Sequence, residues 1–155
     1  MVVANTEPIF AKQRLLSLKR LQTGLIFPTA VALGLTGSGE TLVDCDAQSS
    51  GAIIEDIWCL PLGALGAGTF IRFYLSDYNL NQIYMIFEAA IATSGASPFV
   101  RQELGTLLPE VLSPTQTGLA GKKKALYLGP NQRISVGLSA DLAAPLVVGL
   151  QGGYY

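Results

Sequence analysis

The chain has 155 residues, a net charge of −1, 50% hydrophobic residues and only 14% charged ones. Soluble domains carry about 25% charged residues, so this surface is too poor in charge for a free monomer, and either a membrane or neighbouring molecules must cover it. The near-neutral total gives no electrostatic basis for binding nucleic acid.

Length suits one domain with ample core. No apolar run reaches the roughly 20 residues of a spanning helix, and the longest, "GLIFPTAVALGL" from Gly24 to Leu35, is broken by Pro28. The opening "MVVANTEPIF" lacks the basic-then-apolar order of a secretory signal. We therefore expect no membrane partner and extensive burial in an oligomer or larger assembly.

Residues 1–22 stand apart as an expected N-terminal arm, ahead of a β domain over 23–155. Here "AKQRLLSLKRLQ" holds Lys12, Arg14, Lys19 and Arg20, four of the ten basic residues. Leu15, Leu18 and Leu21 recur at roughly helical spacing, so the arm is expected to be a short amphipathic helix or an extended segment. "GLIFPTAVAL" then reads as a short strand bounded by glycines.

"GLTGSGET", residues 34–41, nearly spells a phosphate-binding loop, with Gly34, Gly39 and Thr41 in place but Glu40 where the lysine belongs. A phosphate loop needs that cation and a helix behind it. Glu40 would repel phosphate by roughly 4 kcal/mol at about 4 Å, and "TLVDCDAQSSG" does not read as a helix. The stretch is a glycine-rich connection between strands.

"ETLVDC" and "GAIIEDIWCLPL" read as the next two strands, with "GALGAG" as a turn after them. In "GTFIRFYLSDY", Ile71, Phe73 and Leu75 alternate with Arg72, Tyr74 and Ser76, the pattern of a strand with one buried face. "QIYMIFEAAI" is expected to align Ile83, Met85 and Phe87 on one face. "PFVRQELGTLL" is a candidate helical turn, opened by Pro98 and ended by Gly105. "KALYL" and "RISVGL" are split by "GPN", a hairpin-like turn, and "PLVVGLQGGYY" closes as a terminal strand. About eight short strands divided by turn clusters indicate an all-β sandwich or small barrel.

Chemistry is sparse. The absence of histidine removes the common triads, most zinc sites and the usual general base, so no enzyme activity is expected. Asp44 and Asp46 flank Cys45, and Glu55 adjoins Asp56. These pairs suit a solvated strand end or a polar contact better than a metal site, and no metal or cofactor is expected. Cys45 and Cys59 fit small buried apolar positions. Trp58 is expected in the core, the "GKKK" run as a solvated loop, and the paired tyrosines of "GGYY" as a docked end.

Four segments in order, "ANTEPIF", "LVDCDAQSSGAIIEDIWCLPLGA", "GTFIRFYLSD" and "LYLGPNQRISVGLSADLAAPLVVGLQGGYY", together resemble a family of small tailed-phage virion proteins. Thr6, Glu7 and Pro8 match the family's arm, Gly63 its turn after a strand, Arg72 with Phe73 a later strand, and Gly152, Gly153 and Tyr154 approximate an ending in which Tyr154 replaces an aspartate. The resemblance implies a jelly-roll-like β-sandwich that trimerises and decorates, or cements, the outside of a phage head. Its partner would be the major capsid protein, and it would reside on the virion after synthesis in the host cytoplasm. Arm position and charge, rather than any matched motif, nominate Glu7, Pro8, Phe10, Arg14, Lys19 and Arg20 as capsid contacts. Two alternatives come from other classes: a tail, neck or fibre-base component, and a carbohydrate-binding jelly roll with exposed aromatics around a groove.

Overall fold

Runs rich in β-branched and aromatic residues with alternating polarity favour a pleated, half-buried surface, and the chain folds accordingly. The computed structural model describes residues 13–21, 40–46, 50–65, 69–77, 83–91, 99–112, 122–139 and 141–155. The strands are β1 (Gln13–Leu21), β2 (Glu40–Cys45), β3 (Ala52–Pro61), β4 (Phe70–Asp77), β5 (Ile83–Ala90), β6 (Gln102–Glu103), β7 (Glu110–Leu112), β8 (Lys122–Lys124), β9 (Leu126–Leu128), β10 (Gln132–Leu138) and β11 (Leu146–Tyr154). A five-stranded sheet runs β1-β11-β3-β6 with β9 also on β3, a four-stranded sheet runs β2-β10-β4-β5, and β7 with β8 forms a separate ribbon.

All pairings are antiparallel, and four of them nest: β1 with β11, β2 with β10, β3 with β9, β4 with β5. A long hairpin folded over in this way is a jelly roll, so the expected all-β, jelly-roll-like sandwich is the fold. Leu15, Ile54, Ile57, Cys59, Val148 and Leu150 from one sheet meet Val43, Ile71, Phe73, Ile134, Val136 and Leu138 from the other in a single buried core. Cys45 and Cys59 both lie inside it as reduced thiols, outside any disulfide.

Bulges explain where simple alternation misplaces residues. On β5 the register slips opposite Phe73/Tyr74, so Phe87 faces Phe73 in the core while Met85 pairs with Tyr74 on the outer face. Ile83, Met85 and Phe87 therefore do not share a face, contrary to the expectation from period two. On β11 the register slips at Gln151/Gly152, so that Gln151 faces Asp56 and Gly152 faces Ile54, which lets Ile54 and Ile57 both point inward. Gly152 makes this possible, because a Cβ there would run into the carbonyl oxygen of Ile53.

Other expectations are corrected by tertiary pairing. Residues 13–21, assigned to the arm with a helix as one option, are strand β1 of the five-stranded sheet, and Leu15 and Leu21 lie in the core. "PFVRQELGTLL" is not helical over its described part: β6 pairs with β3, followed by a 3-10 turn at Gly105–Leu107. "GPN" is no hairpin, since β9 belongs to the five-stranded sheet and β10 to the other. Asn131 takes a positive φ of 60° at this corner, a conformation asparagine tolerates better than most residues. β4 is buried on both faces, with Arg72, Tyr74 and Ser76 as well as Ile71 and Phe73 inaccessible. The "GKKK" lysines form β8 rather than a loop. "GLIFPTAVAL" and the glycines of "GLTGSGET" lie outside the described residues; Glu40 and Thr41 open strand β2, not a helix.

Candidate interaction surface

The outer face of the five-stranded sheet follows from the registers, because directly opposed residues project to the same side. Across β1, β11 and β3 the outward rows are Arg20–Val147–Leu60, Leu18–Gly149–Trp58, Leu16–Gln151–Asp56 and Arg14–Gly153–Ile53. The sequence Arg14-x-Leu16-x-Leu18-x-Arg20 thus places two leucines on the surface between two arginines. Leu16 and Leu18 are each 54% exposed, unusual for leucines on a sheet face. Val147, Leu60 and Trp58 continue the band, half-buried.

Trp58 is consequently not a core residue. Its ring lies over Gly149, where a Cβ would collide with Cε2 and Cζ2 of the indole. The Arg101 guanidinium sits over the ring at 4.7 Å from its centroid, a cation–π arrangement. Arg101 is held by Asp56 at 2.7 Å and Glu103 at 2.6 Å, and the hydrogen bond it donates to Glu103 raises its pKa above the ordinary arginine value. Asp56 also accepts from Gln151 Nε2 at 3.3 Å. The result is a braced, flat platform beside the exposed leucines.

Of the capsid-contact candidates, Arg14 and Arg20 stand exposed on this face. Lys19 does not: it projects to the opposite side and pairs with Glu40 of β2 at 3.5 Å, joining the edges of the two sheets. Both side chains are over a third exposed, so this pair contributes at most about 1 kcal/mol. Glu7, Pro8 and Phe10 lie outside the described residues. Sequence reasoning missed Leu16, Leu18, Trp58 and Arg101; the alternation of Arg14, Leu16, Leu18 and Arg20 was the available signal.

The carboxylate pairs are spent on local contacts. Asp44 takes a two-pronged bond from Arg133, with Nε 3.3 Å from Oδ1 and the second nitrogen 2.9 Å from Oδ2. Among the described residues, no cluster of three or more potential metal ligands occurs, and no helix is long and apolar enough to cross a membrane. At the end of the chain, Tyr155 stacks on Tyr127 with centroids 6.4 Å apart and donates its backbone N–H to Gly51. Burial pushes the Tyr155 phenol up to about 12. The tyrosine end is docked, as its composition suggested. Compared with protein-family models, curated proteins and solved structures, the chain matches none.

Proposed function

We propose that the protein is a structural virion component that binds the outside of a phage head as an oligomer, a trimer on the resemblance, and bridges neighbouring major capsid subunits. The observation that carries this reading is the outer face of the five-stranded sheet, with Leu16 and Leu18 each 54% exposed between Arg14 and Arg20. Contiguous exposed apolar surface rimmed by polar groups marks a contact site. It answers the shortage of charge in the composition: the surface left bare is one that neighbours cover. The segmental resemblance to tailed-phage virion proteins supplies the identity of those neighbours. The function on this reading is mechanical. Burial contributes roughly 25 cal/mol per Å² before entropic costs, and linking adjacent subunits multiplies weak contacts through effective concentration.

Measuring the mass of the purified protein with and without emptied heads tests the proposal. A discrete oligomer that loads heads to a fixed copy number supports it. A stable monomer with no affinity for heads overturns it. An oligomer that ignores heads but is found in the particle by cryo-microscopy moves the assignment to the tail, neck or fibre base.

A further inference from the structure

We infer that the mouth of the sandwich, where β4, β5 and β10 end together, is a binding site for a single neutral pyranose ring contacted by Tyr84, Asp77, Asn131 and Gln132. A cleft of about 280 Å³ opens there, lined by these four residues with Leu75 and Ser76. Clefts for drug-sized ligands run from about 300 Å³ upward, so the volume excludes a dinucleotide or a larger cofactor and limits the occupant to about one ring.

The register builds the site. Leu75 lies opposite Tyr84, and Asp77 opposite Gln132. Opposed residues share a face, so these four side chains leave the sheet on its inner side at the end of the core. Ser76 alternates with them, and its side chain belongs to the other face. The corner turn fixes the remaining wall: Asn131 donates its backbone N–H to the Asp46 carbonyl at 3.2 Å, and Gly129 donates its own to Gln132 Oε1 at 2.8 Å. Gln132 is thereby oriented with its amide NH₂ still able to donate, which lowers the ordering cost of binding.

The side-chain chemistry selects the ligand. Among the described residues, one carboxylate, two carboxamides and one phenol line the cleft, and no cationic side chain does. An anion finds no counter-charge there. Hydroxyl groups, each donor and acceptor, match planar carboxylate and carboxamide groups, and the C–H face of a pyranose packs on an aromatic ring. Tyr84 is 53% exposed, and Leu75 extends the apolar floor. Asp77 and Tyr84 also interact elsewhere, but a carboxylate accepts about four hydrogen bonds and the face of a phenol ring is separate from its hydroxyl. Affinity for one ring would be weak, and many copies on one particle would make a glycan-coated surface a strong target. The single-ring site stands apart from the mechanical role; only the gain from many copies rests on the proposed virion function.

Saturation-transfer NMR on the intact protein tests the site, using the methyl glycosides of glucose, galactose, mannose and N-acetylglucosamine, neutral oligosaccharides ending in the same sugars, and inorganic phosphate as a mismatched competitor. We expect transfer to the ring protons of at least one glycoside or its oligosaccharide, cut roughly tenfold by Tyr84→Ala and by Asp77→Asn, with unfolding midpoints unchanged. A response to the oligosaccharide alone supports the site and identifies an extended glycan as the source. No transfer to any sugar, transfer that survives both substitutions, or displacement by phosphate overturns the inference.

Discussion

Trp58 of β3 rests on Gly149 of β11, and no side chain fits between them: a Cβ at 149 would overlap the indole. Gly149→Ala must therefore push the ring outward and loosen Arg101 above it. Forced overpacking costs about 1–3 kcal/mol. Trp58 is the single tryptophan of the chain, so its emission reports the displacement directly. Urea unfolding followed by fluorescence should show a lower midpoint and a red-shifted native spectrum. An unchanged spectrum and midpoint would mean that the ring does not sit on this backbone.

Arg72 and Glu88 form the cross-strand pair of β4 and β5, with Nε and Oε2 2.6 Å apart. The arginine side chain is 8% exposed and the glutamate 36%. Removing the glutamate strands a buried guanidinium, whereas removing both charges does not. Because Glu88 reaches solvent, Glu88→Ala should cost about 1–3 kcal/mol, below the value for a fully buried pair. The double variant Arg72→Met/Glu88→Ala should recover part of that loss. Thermal melts of the three proteins check the order; a double variant less stable than Glu88→Ala contradicts it.

Burial raises the Cys59 thiol from 9.0 to about 11. Between those values the folded chain keeps a proton that the unfolded chain releases. Stability is therefore fully present below about pH 9 and falls as pH rises toward 11, by about 1.4 kcal/mol per unit. Burial also raises Tyr74, Tyr154 and Tyr155, whose ordinary value is 10.0, so the tyrosines add to the decline about one pH unit after Cys59. Denaturation midpoints should be nearly level from pH 8 to pH 9 and fall from pH 9 to pH 10 for the natural protein, and fall less over that last unit for Cys59→Ala. The native thiol should also resist alkylation at neutral pH. Equal slopes in both proteins would remove Cys59 as the cause.

Much of the fold was legible because alternation is a local property. Ile71, Phe73, Ile134, Val136 and Leu138 are core residues on the expected faces. What local reading lost was set by distant partners. In "RLLSLKRL" the leucines at 15, 18 and 21 mimic a helical stripe, yet pairing with β11 splits them, Leu15 and Leu21 inward and Leu18 outward. The bulge opposite Phe73/Tyr74 reverses parity without any residue that announces it, and the one at Gln151/Gly152 is signalled only by Gly152. "GPN" has hairpin spelling, but the nested pairing sends its two flanks to different sheets. Trp58 looked like core because its neighbours are apolar; only the partner Gly149 shows that its ring has a place to lie on the outside. Of the candidate contacts, Arg14 and Arg20 stand exposed on the outer face of β1, while the apolar half of that face needed the register.

On the proposed function, the outer face of β1, with its two bare leucines, is the adhesive surface. Pelleting emptied heads with the natural protein and with Leu16→Glu/Leu18→Glu measures it. Because neither leucine is in the core, unfolding stability should change by no more than about 0.5 kcal/mol, while head binding should drop at least about tenfold, the equivalent of about 1.4 kcal/mol. A folded double variant that coats heads as well as the natural protein does would show that the contact is made elsewhere.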